Sequence, residues 1–118
     1  MFNFEKLTVW QKAVDFADFV YRETRRFPAD ERFGLVSQMR RASVSISSNV
    51  AEGSSRMSRT DYARFIEIAA GSVFEVVSEA MVARRQRFLE TSAFEHLYAS
   101  AEELSKMLSA LRSSILSR

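Results

Sequence analysis

The sequence predicts an all-α protein, an antiparallel up-down-up-down bundle of four helices in a single domain that covers residues 1–118. Apolar residues recur at spacings of three and four along almost the whole chain, as they do on helices, and strict apolar alternation is nowhere sustained. One Pro and three Gly leave few places for turns. Because short loops join helices of about 20 residues, sequential helices are expected to run antiparallel.

The first helix is predicted from about Glu5 to Arg26, because the residue before Pro28 is driven out of helical geometry. It carries two apolar stripes, which indicate more than one buried face and favour association with a second chain. One stripe comprises Leu7, Trp10, Val14, Ala17, Tyr21 and Thr24, and the other comprises Val9, Ala13, Phe16 and Val20.

The second helix contains a serine-rich stretch, residues 40–56, whose composition resembles a loop. A start signal stands at Pro28, with Asp30 and Glu31 at the positive end of the helix dipole, and Gly53 is expected to act as the C-cap. Between these points the apolar spacing stays in helical phase through Leu35, Met39, Ala42, Ile46 and Asn49. The stretch is therefore predicted to be helical, with polar groups that need partners on a neighbouring helix.

The third helix is predicted to begin after Ser58, which with Asp61 resembles a capping box, and to run to Phe88 or Leu89. Its expected core stripe is Tyr62, Phe65, Ile66, Ala69, Val73, Val76, Ala80 and Ala83.

The fourth helix is predicted to start at a cap formed by Thr91 or Ser92. A regular stripe is expected to face the core, and it comprises Leu97, Ala101, Leu104, Leu108, Leu111 and Ile115.

Polar side chains of the second and third helices are predicted to meet in one network. Gly71 costs about 1 kcal/mol relative to Ala inside a helix, and close packing of the two helices is a reason for it. The expected members are Arg40 or Arg41, Asn49 and Glu52 on the second helix, and Ser72 and Glu75 on the third. We prefer a structural interpretation, in which the network fixes helix register, to the alternative of a ligand-binding or catalytic role.

Arginines gather where the first and third helices end, because an up-down order places these ends together. They are Arg22, Arg25, Arg26, Arg84, Arg85 and Arg87. The net charge of +2 does not by itself identify a nucleic-acid binder. In a monomer these cations complement helix dipoles and keep the surface soluble, whereas in an assembly of several copies they would contact phosphates without reading sequence. Aromatic residues do not alternate with the arginines, so base stacking is not predicted.

Enzyme and metal signatures are missing from the sequence. There is no Cys, which excludes disulfides and thiolate metal sites. The one His, His96, has Ala93 where a di-iron bundle needs Glu, and no Gly-rich phosphate loop follows a strand. We therefore predict no catalysis, no cofactor and no metal. No signal peptide and no run of about 18 apolar residues is visible, so a cytoplasmic location without membrane contact is expected.

Three segments also carry a family resemblance, "FEKLTVWQKA", "DERFGLVSQMRRASVSISSNVAEGSSR" and "DYARFIEIAAGSVFEV". With the composite Q-x-R-R-A-x-x-S-I-x-x-N-x-A-E-G they resemble the four-helix bundle proteins encoded in intervening sequences of bacterial 23S ribosomal RNA genes. The likeness runs from about Phe4 to Glu79.

This resemblance implies a closed homo-oligomeric ring, with a pentamer favoured. A similar bundle is the accessory protein of diversity-generating retroelements, which binds nucleic acid and a reverse transcriptase. The expected function is accordingly a non-enzymatic assembly factor that binds RNA or DNA, or a ribonucleoprotein, through its arginine clusters. The alternative is a scaffold ring that docks a partner protein without direct RNA contact.

Overall fold

Four long helices make up most of the chain in the computed structural model, which describes residues 1–118. They are α1 (Thr8–Thr24), α2 (Leu35–Ser54), α3 (Arg59–Arg85) and α4 (Thr91–Leu116). Short 3₁₀ turns, Asn3–Lys6 and Ala29–Glu31, precede α1 and α2. The molecule is a rod of 46 × 22 × 21 Å. The predicted all-α, four-helix fold is confirmed.

Contacts between the helices show how they run. The Lys12 Nζ–Glu103 Oε1 distance is 3.2 Å, and the rings of Phe19 and His96 lie 4.5 Å apart. Residue numbers thus rise in α1 as they fall in α4, so the two helices are antiparallel. The same reversal relates α2 to α3 and α3 to α4, through the pairs Ser45–Ser72, Gly53–Phe65, Glu67–Arg112 and Arg84–Phe94.

The core takes one apolar face from each helix. Val20, Ile46, Val76 and Leu108 are fully buried, one from each helix in turn. Both predicted stripes of α1 are used within the chain: Val9, Ala13, Phe16 and Val20 lie in the core, and Leu7 and Trp10 pack against it. The two stripes therefore do not by themselves require a second chain.

Helix starts depart from the prediction at α1 and α2. A 3₁₀ turn occupies residues 3–6, so α1 begins only at Thr8. The backbone of Gly34, with φ −107° and ψ −112°, leaves helical geometry and delays α2 to Leu35. The carboxylate of Glu31 accepts a hydrogen bond from the Leu35 N–H at 3.3 Å, which satisfies one of the free donors at the start of α2.

The predicted cap of α3 is confirmed, whereas that of α4 is not. Ser58 Oγ accepts a hydrogen bond from the Asp61 N–H at 3.0 Å. At α4, Glu90 occupies the capping position without a side-chain hydrogen bond, and Thr91 is already the first helical residue. Neither Thr91 nor Ser92 is therefore the cap.

Neither helical glycine has its predicted role, and Gly53 has the one that was predicted for Gly71. Gly53 is not a C-cap, because α2 continues through Ser54. A Cβ added at Gly53 would lie 2.7 Å from the Cβ of Phe65, so α2 and α3 approach each other closely at this glycine. Gly71, by contrast, is exposed, and a Cβ there would meet nothing within 4 Å. Close packing does not explain Gly71.

These surroundings predict opposite effects for the same substitution. Gly53→Ala should lower the free energy of unfolding by about 1–3 kcal/mol, because an added methyl must push the helices apart. Gly71→Ala should raise it by about 0.5–1 kcal/mol, because Ala restricts the unfolded chain and nothing obstructs its side chain. Urea unfolding of both variants beside the parent measures this, and a stabilised Gly53→Ala variant would contradict the tight approach.

Candidate nucleic-acid interface

The ends of α1 and α3 are joined by two aromatic residues that follow them. Phe27 comes after α1 and is buried, and its ring centroid lies 5.8 Å from that of Phe88, which comes after α3. The buried Leu89 belongs to the same core cluster as Phe27. This contact brings the two arginine-bearing helix ends to one end of the rod. All six predicted arginines are exposed there: Arg22, Arg25, Arg26, Arg84, Arg85 and Arg87.

Ion pairing distinguishes this end of the rod from the other. Among the six arginines only Arg26 forms an ion pair, a distant one of 3.9 Å to Glu23. Near the opposite end three arginines are paired with acids, in Arg56–Glu52 at 2.9 Å, Arg112–Glu67 at 3.3 Å and Arg64–Asp61 at 3.6 Å, and only Arg59 and Arg118 are in no ion pair. Unpaired positive charge is therefore concentrated where α1 and α3 end.

Arg87 has an unusual backbone conformation in this cluster. Its φ of 65° lies in the left-handed region that favours glycine. The Arg87 N–H donates to the carbonyl of Arg84, and the Phe88 N–H donates to that of Ala83, both at 2.9 Å. This is a Schellman ending, and it stops α3 at Arg85 rather than at the predicted Phe88 or Leu89. An arginine stands here in a position that glycine usually occupies.

Aromatic rings accompany the arginines more closely than the sequence suggests. The guanidinium of Arg84 lies 4.7 Å from the ring centroid of Phe94, and that of Arg22 lies 5.7 Å from the centroid of Phe19. Arg84 and Phe94 belong to different helices, so a search for alternating residues along the chain misses the pair. These two arginines therefore have aromatic neighbours in the fold, although the two residue types do not alternate along the sequence.

Part of the predicted polar network exists between α2 and α3. The hydroxyls of Ser45 and Ser72 lie 2.9 Å apart, and the Asn49 amide donates to Ser45 Oγ at 3.0 Å and to the Ser45 carbonyl at 2.8 Å. Asn49 thus reaches Ser72 through Ser45. This chain of bonds lies within the bundle and favours the structural interpretation.

Most of the other serine hydroxyls bond to their own helix instead of to a neighbour. Each donates to the carbonyl three residues before it, at 2.7–3.1 Å, in Ser43, Ser47, Ser54 and Ser55. The serine-rich stretch is helical, as predicted, but it obtains few of its hydrogen bonds from α3.

The predicted charged members of the network lie elsewhere. Arg40 turns towards α1, where its Nε donates to Thr24 Oγ1 at 3.0 Å and its guanidinium lies 4.6 Å from the ring centroid of Tyr21. Glu52 pairs with Arg56 one turn further along α2. Arg41 is exposed and forms no ion pair. Arg40 is drawn to α1 because a buried hydroxyl and an aromatic face are available there, so its predicted place between α2 and α3 is wrong.

Glu75 and Glu79 form a pair of carboxyls on α3. Glu79 is only 9% exposed, and its Oε1 has no hydrogen-bonding partner among the protein groups. Burial, followed by the neighbouring carboxyl of Glu75, raises the pKa of Glu79 from its ordinary 4.5 to about 7. Glu75 therefore neighbours another acid instead of the predicted arginine.

The four helices hold no obvious metal or membrane site. No group of three or more His, Asp and Glu side chains is placed to hold a metal ion. None of the helices combines the length and apolar character that crossing a membrane demands.

The Glu79 carboxyl should make stability depend on pH. A pKa raised by folding means that the folded chain holds the proton more tightly, so this contribution is full below about pH 4.5 and is lost as pH rises through about 7. Relative to wild type, Glu79→Gln should gain on the order of 2 kcal/mol in free energy of unfolding between pH 5 and pH 8. Urea unfolding at both pH values measures the gain, with Glu102→Gln as the control for losing an exposed acid. An equal difference at both pH values would refute the assignment.

Comparison with known proteins agrees with this architecture. The chain matches no curated protein. It is similar to the crystal structure of a protein of unknown function from the S23 ribosomal protein family of Bacteroides thetaiotaomicron, with a TM-score of 0.80 and 21% sequence identity over 89% of this chain and 98% of that one. The model of the 23S rRNA-intervening sequence protein family matches residues 5–110. The chain therefore belongs to the family of 23S rRNA-intervening sequence proteins.

Proposed function

We propose that this protein is a non-enzymatic, self-associating bundle that binds nucleic acid through the arginines at the end of α1 and α3. The observation that carries the proposal is the concentration of exposed, mostly unpaired arginines at one end of the rod. Cations that already pair with acids have less to gain from a phosphate, whereas unpaired guanidinium groups can contact phosphate oxygens directly.

The expected mode of binding is electrostatic. Arginine contacts to phosphates release counterions from the nucleic acid, so affinity falls steeply as salt rises, and such contacts carry no sequence information by themselves. The net charge of +2 is small for one chain, but several copies in a ring would present several arginine clusters to the same polyanion.

Self-association is part of the proposal, and a pentameric ring is the form that the family resemblance suggests. Apolar side chains on the outer sides of α2 and α3 support it, since Val44 and Ile68 are 41% and 43% exposed. Burying such a face between copies would stabilise an assembly.

Replacing three of the arginines tests the proposal. The Arg84→Ala, Arg85→Ala, Arg87→Ala triple variant should lose about a hundredfold or more in affinity for RNA and DNA at low salt, with a shallower salt dependence. Fluorescence anisotropy at two salt concentrations measures this, and light scattering checks that the oligomer mass is unchanged.

The matched control is the triple variant Arg56→Ala, Arg59→Ala, Arg64→Ala, which removes the same charge from the other end. It should retain most of the affinity. Equal losses of affinity in the two variants would show that the position of the arginines along the rod does not matter. If the wild-type chain binds no nucleic acid at low salt, the proposal is excluded and the alternative, a scaffold that docks a partner protein, is left.

A further inference from the structure

A groove runs along the outside of α3 and α4. It consists of two adjoining cavities of about 470 and 730 Å³, which share Ser78, Met81 and Tyr98 in their walls. The first extends to Phe74 and Lys106, and the second extends to the arginines that end α3. From position 74 to position 85 the helix rises about 16 Å, which is long enough for a few nucleotides of an extended strand.

Aromatic faces are available in this groove. Phe74 is 68% exposed and Tyr98 is 39% exposed, although both are large enough to be buried in most domains. Phe94 closes the upper part of the groove, with its ring centroid 5.9 Å from that of Tyr98. Flat apolar rings that stay open to solvent can receive a flat ligand by stacking.

The charges that line the groove favour an anionic ligand. Arg84 and Arg85 line its upper end and Lys106 its lower part, whereas Glu102 is the one acid in its walls. The Arg84 guanidinium is held against the ring of Phe94 at 4.7 Å, which fixes a cation directly beside an aromatic face. Rings flanked by cations match a ligand with stacked bases and a phosphate backbone better than they match an apolar peptide.

We propose that the α3–α4 groove binds single-stranded nucleic acid, with bases stacked on Phe74 and Tyr98 and phosphates held by Arg84, Arg85 and Lys106. This inference rests on the proposed function and adds the form of nucleic acid that the protein prefers. A duplex hides the faces of its bases, so it can use the arginines but not the rings. Single strands should therefore bind more tightly than duplexes of the same length.

The test replaces the aromatic rings with leucine side chains, which are apolar but cannot stack on bases. The Phe74→Leu, Tyr98→Leu double variant is assayed by fluorescence anisotropy against a labelled 20-nucleotide single strand, as RNA and as DNA, and against the matching duplex. We expect about tenfold weaker binding of the single strands, unchanged duplex binding and an unchanged salt dependence. Phe2→Leu, at a residue 72% exposed near the other end, is the control and should bind like the wild type.

The Arg84→Ala, Arg85→Ala variant separates this inference from the proposed function. It should weaken single strands and duplexes alike and reduce the salt slope by about two. If it does so while the leucine variant binds single strands normally, the groove proposal is overturned and the proposed function stands. If the wild-type chain binds neither form, both are overturned.

A further measurement decides between a nucleic-acid strand and a second copy of the chain as the occupant of the groove. Light scattering of the Phe74→Ala, Tyr98→Ala variant reports whether the groove is a contact between copies, and a fall in oligomer mass would overturn the proposal.

If circular dichroism shows that the Phe74→Leu, Tyr98→Leu variant does not fold, Phe74→Leu alone, at the more exposed of the two positions, replaces it. That single variant should still weaken single-strand binding several-fold, and wild-type affinity would overturn the proposal.

Discussion

At Gly53 there is no room for a methyl group between α2 and Phe65 of α3, and this close approach sets the geometry of the whole bundle. Two helices that come so near must have small side chains where they meet, and Ser45 and Ser72 supply them. The hydroxyl pair in the gap then fixes how far one helix can slide along the other. Because α1 packs on α2 and α4 packs on α3, the position of every other element follows from this pair.

A helix rich in serine is stable here for two separate reasons. Most of its hydroxyls return to carbonyl groups of the same helix, so they need no partner outside it and remain compatible with its surface. Only Ser45 bonds to α3, and Asn49 of the same helix donates to it. The small polar residues therefore allow close packing without leaving their hydroxyls unpaired.

The order and phase of the helices could be predicted from the sequence because apolar spacing is a local property that the folded chain preserves. The roles of Gly53 and Gly71 could not, since both are glycines within helical patterns and only the distance to a neighbouring helix tells them apart. Arg40 is a similar case, because whether its side chain bonds to Thr24 or to a residue of α3 depends on which partner lies within reach in the fold. The predicted helix ends were wrong where a 3₁₀ turn, the backbone of Gly34 or the Schellman ending at Arg87 set the boundary instead.

At the candidate site, the gathering of arginines followed from helix order alone. The contrast in ion pairing could not be predicted from the sequence. Glu52–Arg56 and Asp61–Arg64 have spacings at which charges on a helix meet, but so do Asp18–Arg22 and Glu23–Arg26 at the other end. The stacking of Arg84 on Phe94 could not be predicted either, since it joins residues from two helices across a turn.

A rod whose free charge sits at one tip has a direction, and that direction has a consequence for any assembly of it. In a closed ring whose rods ran along the rotation axis, symmetry would carry each copy into the next without inverting it, so all the arginine-rich tips would lie on the same side of the ring. Such a ring would have two unlike surfaces, one rich in arginine and the other not. Nucleic acid and a second molecule could then occupy opposite sides without competing for the same residues.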